Sequence, residues 1–190
     1  LAECENDSLI KYSLYLKNTT QETIVEDFLK EYTTKDKKLS IKFNDMSYLW
    51  KMYIKNKKIP NVLFQQQFKT LLSTMLDTND SKTEFLHLTS EHLNYVKNFN
   101  EFWNIMVDET PNDEVEMGEM YKLYNIWLKD NDLSDNTNNE RKLRHLIEHF
   151  FPHIEIIDKK YILNVKVKSW NKKKSIIDHL NIIDKNYFLA

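Results

Sequence analysis

His153-Ile154-Glu155-Ile156-Ile157-Asp158-Lys159-Lys160-Tyr161-Ile162-Leu163-Asn164-Val165-Lys166-Val167-Lys168 is the stretch on which the reading of this chain turns. Two alternating segments, 153–157 and 160–167, are split at Asp158-Lys159 and read as the two strands of a hairpin. Ile154 and Ile156, then Leu163, Val165 and Val167, are expected to face inward, and Asn164, Lys166 and Lys168 outward. Upstream, residues 115–129 and 138–151 repeat apolar side chains by three and four, the period of an amphipathic helix. Met117, Met120, Tyr121, Tyr124, Trp127 and Leu128 mark the first helix. Leu143, Leu146, Ile147, Phe150 and Phe151 mark the second, with Asn138 or Asn139 as its cap and Pro152 as its stop. Downstream, Lys159 to Lys174 holds seven lysines and no carboxylate, and 172–180 reads as a terminal helix.

Two helices followed by a basic hairpin outline a winged helix, a fold that often sits on nucleic acid. Lysines on one strand face and on the adjoining turn neutralise phosphates, each contact releasing a counterion. Arg141, Lys142 and Arg144 lie near the start of the second helix, where a recognition helix meets a groove. The expected nucleic-acid set is therefore Arg141, Lys142, Arg144, Lys159, Lys160, Lys166, Lys168, Trp170, Lys172 and Lys173. Trp170 either stacks on a base or anchors the strand end in the core. The alternatives are a solvated lysine face and a protein-docking winged helix.

Glu119-Met120-Tyr121-Lys122-Leu123-Tyr124-Asn125-Ile126-Trp127-Leu128, then 143–151, then a short hairpin, resembles the winged-helix tail of primase–helicase proteins of large DNA viruses, the poxvirus type included. The resemblance covers residues 115–168 and implies a tail that engages DNA beside a hexameric ATPase. Nothing in the chain resembles the ATPase itself, and residues 1–107 resemble no named family. Asn, Lys and Ile, all with AT-rich codons, make up 61 of 190 residues, which agrees with a large-virus or other AT-rich genome.

Towards the N-terminus the signals are helical. Thr19-Thr20-Gln21-Glu22 is a capping box opening a helix to Tyr32, with Ile24, Val25, Phe28 and Leu29 on one face. Residues 33–39 read as a polar linker. Met46, Leu49, Trp50, Tyr53 and Ile54 define a helix over 45–55, and Pro60 ends it. Asn61 is placed to cap a helix that buries Leu63, Phe64, Phe68, Leu71, Leu72 and Met75. Ser81-Lys82-Thr83-Glu84 reads as a further capping box, and 90–106 as another amphipathic helix. Asp108–Glu119, with six carboxylates, one proline and the only glycine, reads as a solvated linker with a domain border near Pro111. No internal repeat is read.

Composition excludes several function classes. A single glycine, Gly118, cannot write a phosphate-binding loop or a dinucleotide fingerprint. A single cysteine, Cys4, permits no internal disulfide and no thiolate zinc cluster. It fits an intracellular setting, cytoplasmic or nuclear or a viral factory. No apolar run reaches the roughly 18–20 residues of a membrane span. Residues 1–7 do not read as a signal peptide, and the opening Leu fits a fragment of a longer protein. His145-Leu146-Ile147-Glu148-His149 matches the inverted zincin pattern, but those enzymes need a further glutamate on a downstream helix, and only Glu155 follows, on an expected strand. Net charge is −2, divided as +6 over residues 159–190 and −8 over the rest, an asymmetry that speaks to partners.

The expected fold is mainly α: a helical bundle over residues 1–110 and a winged-helix-like unit with a two-stranded hairpin over 111–190. The expected function is non-enzymatic nucleic-acid binding through the C-terminal wing, with no metal and no cofactor. The alternative is a protein–protein adaptor in a viral complex, docking through the winged helix or through the aromatic side chains of the bundle.

Overall fold

The computed structural model describes residues 10, 12–15, 17–133 and 139–168. Helices dominate, accompanied by two small antiparallel sheets. The chain divides into two compact units between Val96 and Lys97. Each is taken separately.

In the first unit, α1 (Gln21–Tyr32) starts where Thr20 Oγ1 accepts a hydrogen bond from the Thr23 amide at 3.2 Å. That bond satisfies one of the donors a helix start leaves open. Ile24, Val25, Phe28 and Tyr32 form its buried stripe. β1 (Thr34–Lys42) leads into α2 (Phe43–Lys57), which ends at Lys58 in the left-handed conformation, two residues before Pro60. α3 (Gln65–Met75) follows, and its N-cap amide, on Phe64, donates to Gln67 Oε1 at 3.1 Å. β2 (Glu84–Thr89) then pairs antiparallel with β1. Phe28, Trp50, Tyr53 and Phe68 form the aromatic centre. Phe28 meets Trp50 edge-on at 5.3 Å, and Trp50 stacks on Phe68 at 4.7 Å.

In the second unit, α4 (Asn94–Met106) begins beside the division and runs directly into β3 (Val107–Glu116). α5 (Met117–Asp130) and α6 (Glu140–Phe150) follow, the latter capped by Asn139, whose Oδ1 accepts from the Lys142 amide at 2.9 Å. β4 (Ile156–Ile157) and β5 (Tyr161–Val167) complete a sheet of order β3-β5-β4. Its core gathers Phe99, Phe102, Tyr124, Trp127, Leu143, Ile147, Ile162 and Val165, all buried.

Several expectations change here. The first unit is not a plain helical bundle, because the lysine-rich "linker" is β1. Its alternation is hidden by a register shift between Lys35 and Ser40, which leaves Ile41 as its only buried side chain. The acidic run is likewise β3, so the border expected near Pro111 falls inside a strand and the hairpin becomes three-stranded. Pro111 sits in the register shift between Glu109 and Glu114, where no ladder N–H is needed. Ser81–Thr83 form a turn before β2 rather than a helix cap. Phe64 is not buried but 82% exposed, because α3 starts one residue after it. In β5, Asn164 has a φ of 56°, which moves the alternation by one residue, so Ile162 rather than Leu163 is buried with Val165 and Val167. The terminal helix expected at 172–180 lies outside the described residues.

The largest departure is an internal repeat. A shift of 74 residues carries Phe43–Lys55 onto Met117–Lys129, matching Met46 with Met120, Leu49 with Leu123 and Lys55 with Lys129. Both units run helix, strand, helix, helix and then strand, the second having the two-residue β4 before its last strand. Both first strands break register at matching positions, Lys35/Ser40 and Glu109/Glu114. Opposite each break sits a residue with positive φ, His87 at 59° and Asn164 at 56°. Each of these reaches back to its strand: His87 Nδ1 lies 3.2 Å from the Lys37 carbonyl, and Asn164 Oδ1 accepts from the Asn112 amide at 3.2 Å. The ring cluster recurs as well. Phe28 lies 5.3 and 5.6 Å from Trp50 and Tyr53, and Phe102 lies 5.1 and 5.7 Å from Tyr124 and Trp127. So specific a set of coincidences marks two copies of one supersecondary unit.

The β4–β5 turn carries a local cost. Asp158 and Lys159 both have positive φ, 52° and 59°, and the Lys160 amide closes the turn onto the Ile157 carbonyl at 2.9 Å. Two successive positive φ angles mark a type I′-like turn within the three-residue β4–β5 loop, and such a turn favours glycine at its second central position. Lys159→Gly is expected to raise stability by about 0.5–1 kcal/mol, the cost of a left-handed non-glycine residue less glycine's extra unfolded-state entropy. Urea denaturation of the two chains measures it, and a lower midpoint for the glycine variant contradicts the turn assignment.

Candidate nucleic-acid interface

α6 presents its apolar stripe, Leu143, Leu146 and Ile147, to the core and turns its first residues outward. Arg141 and Lys142 are exposed there. Arg144 is different: its side chain is only 16% exposed, and its Nε lies 3.4 Å from Glu148 Oε1, near enough for an ion pair but without hydrogen-bond alignment. Its charge is thus directed along its own helix.

The lysines of the hairpin meet the acidic strand. Antiparallel pairing of β3 with β5 sets Asp108 opposite Lys166 and Glu116 opposite Tyr161. Lys168 Nζ lies 3.2 Å from Asp108 Oδ1 and donates to the Ile105 carbonyl at 2.9 Å. Lys160 Nζ lies 3.3 Å from Glu116 Oε1 and 5.1 Å over the Tyr161 ring. Hydrogen bonding to Tyr161, then to Glu116, pushes the Lys160 ammonium pKa up. Both pairs are about half exposed, so water and salt screen them, and they orient the side chains more than they stabilise the sheet. Lys159 and Lys166 are exposed. Trp170, Lys172 and Lys173 lie outside the described residues. The expected set therefore divides into Arg141 and Lys142 on a helix, and strand lysines of which two are already ion-paired.

The histidine motif is drawn apart. Glu148 faces Arg144, the His149 ring meets the Phe150 ring edge-on at 4.7 Å, and His153 Nε2 lies 2.8 Å from Glu109 Oε1. Among the described residues no three His, Cys, Asp or Glu side chains converge on one point. Elemental analysis of untagged protein is expected to find well under one zinc per chain. Stoichiometric zinc that disappears in His145→Ala or His149→Ala would contradict this.

In the first unit a polar cavity of about 550 Å³ is lined by Tyr15, Asp27, Lys30, Glu31, Tyr53 and Lys57. Lys57 Nζ pairs with Glu31 at 2.7 Å. Burial, then the neighbouring Tyr15, Asp27 and Glu31, pushes the Tyr53 phenol up to about 12, so it stays protonated at neutral pH. Trp50, Tyr53 and Trp103 are core, at 4%, 2% and 3% exposure, leaving Phe64 as the exposed aromatic among those weighed as a docking surface.

One feature was missed by sequence reading although its signal is plain. Met46 to Leu76 contains five lysines and no carboxylate. Within it, Gln66, Gln67, Thr70 and Thr74 form the exposed side of α3. No described helix is long and apolar enough to cross a membrane. Comparison of the chain with protein-family models, with curated proteins and with solved structures returns no match.

Proposed function

We propose that the chain is a non-enzymatic nucleic-acid-binding module made of two winged-helix-like units, belonging to a viral replication protein as the primase–helicase resemblance implies. The observation that carries the reading is the exposed first turn of α6, where Arg141 and Lys142 stand on the helix that follows α5 in a helix–strand–helix–helix–strand unit. In helix-turn-helix recognition the second helix of the pair enters the groove. The sheet order β3-β5-β4 suits a wing in which β5 is central and the β4–β5 turn is its tip. Lys159 at that tip and Lys166 on β5 supply further phosphate contacts. The ion pairs of Lys160 and Lys168 make them weaker contributors than their sequence position implies.

Fluorescence anisotropy with a labelled duplex at low salt tests the reading. Arg141→Ala/Lys142→Ala is expected to lower affinity at least tenfold without changing the melting temperature, since both side chains are exposed. Absence of duplex binding by the unaltered chain at low salt removes the proposal. A protein-adaptor reading has Phe64 in its favour, as a large exposed aromatic of the kind that anchors interfaces.

A further inference from the structure

We infer that α3 of the first unit is a second nucleic-acid contact, one that reads adenine edges in the major groove through its glutamines. The inference rests on the proposal for α6 and extends it through the internal repeat. A shift of 75 residues carries α3 (Gln65–Met75) onto α6 (Glu140–Phe150). Phe68 falls on Leu143, Leu71 on Leu146 and Leu72 on Ile147, so the core-facing stripes coincide. The outward positions then coincide too: Gln66 takes the place of Arg141 and Gln67 that of Lys142. If α6 contacts nucleic acid with those two positions, the same geometry offers two amides from α3.

The chemistry of the two pairs differs in a readable way. Arg and Lys suit phosphates and guanine O6/N7, whereas a glutamine amide donates to adenine N7 and accepts from adenine N6. Gln66 is exposed, while Gln67 also accepts the Phe64 amide through its Oε1, so Gln66 is the freer reader and Gln67 the better-positioned one. The run that contains α3 is basic, although Glu31 from α1 pairs with its Lys57. No carboxylate occurs between Met46 and Leu76, and Lys55 and Lys58, exposed at the end of α2, lie in the same acid-free run.

The test uses the full chain and two duplexes of equal length, one A·T-rich and one G·C-rich, at fixed moderate salt. The unaltered chain is expected to prefer the A·T-rich duplex by about tenfold, the lower end of what one bidentate base contact discriminates. Gln66→Ala/Gln67→Ala is expected to bring that ratio close to one while changing affinity for the G·C-rich duplex less than threefold. Arg141→Ala/Lys142→Ala is expected to weaken both duplexes together and leave the ratio in place. A ratio that is unmoved by the glutamine change, or absent in the unaltered chain, overturns this inference while leaving the α6 proposal standing. A ratio lost with the glutamines but an affinity untouched by the Arg141/Lys142 change keeps this inference and removes α6. Loss of all duplex binding by the unaltered chain removes both. Gln67→Ala also removes the bond that caps the Phe64 amide, so Gln66→Ala alone, which leaves that bond in place, is measured beside the double variant, and circular dichroism of both separates a contact effect from fraying of α3.

Discussion

Phe102→Ala is expected to destabilise the second unit by about 3–5 kcal/mol, the range for removing a fully buried aromatic ring. Phe102 has no exposed surface and touches both other members of its ring cluster, Tyr124 at 5.1 Å and Trp127 at 5.7 Å. α4 contributes the ring and α5 contributes the two it meets, so the cavity would open between the elements that position α6. The matching change in the first unit, Phe28→Ala, removes a ring of equal burial that meets Trp50, Tyr53 and Phe68. It should cost a similar amount. Chemical denaturation followed by tryptophan fluorescence measures both, since each cluster contains a tryptophan. A cost under 1 kcal/mol for either variant would mean that the rings are not the centre of their units, and the structural equivalence of the two clusters would lose its energetic meaning.

The second large effect is on binding. With about four to six phosphate contacts the log–log salt slope on duplex is roughly −4 to −5. Raising salt from about 50 to about 200 mM should then weaken binding roughly 250- to 1,000-fold by the same relation. The ion pairs refine this expectation. Lys168 and Lys160 already face Asp108 and Glu116, so phosphates compete with carboxylates for them. Asp108→Asn/Glu116→Gln is expected to free two cations, tighten low-salt binding and steepen the slope by about one to two units. Isothermal or anisotropy titrations at four salt concentrations decide it. A flat salt dependence, or a slope indifferent to the two carboxylates, contradicts the phosphate-contact picture.

Much of the helical framework was legible in the chain because helices announce themselves locally. The start of α1, capped by Thr20 one residue after the Thr19 of the expected capping box, the Trp50–Tyr53 stripe and the Asn139 cap each lie within a few residues of what they control. The strands were harder. β1 and β3 bury one and two residues respectively among nine and ten, since each is interrupted by its register shift, and a run of lysines or carboxylates gives no alternation to read. Their identity as strands is fixed by partners more than 40 residues away in sequence. The repeat was missed for a related reason. Its identical residues are few, and what it retains is ring position rather than ring type, with Trp50 and Tyr53 becoming Tyr124 and Trp127. At the candidate interface, Arg141 and Lys142 are exposed at the start of α6. Arg144, Lys160 and Lys168 acquired carboxylate neighbours that only the pairing of β3 with β5 reveals.

Two copies of one unit, consecutive in the chain, create a hazard during folding, since each strand has a second partner of matching geometry. The charges of the duplicated strands bear on that choice. In its own unit Lys42 lies opposite Glu84, and Asp108 lies opposite Lys166. Exchange of partners in the matching register would set Glu116 opposite Glu84, and would place Lys166, the one lysine of β5, diagonally beside Lys35. Like charges directly opposed in a sheet repel. The inverted charge of β1 and β3 therefore disfavours the exchanged pairings relative to the native ones.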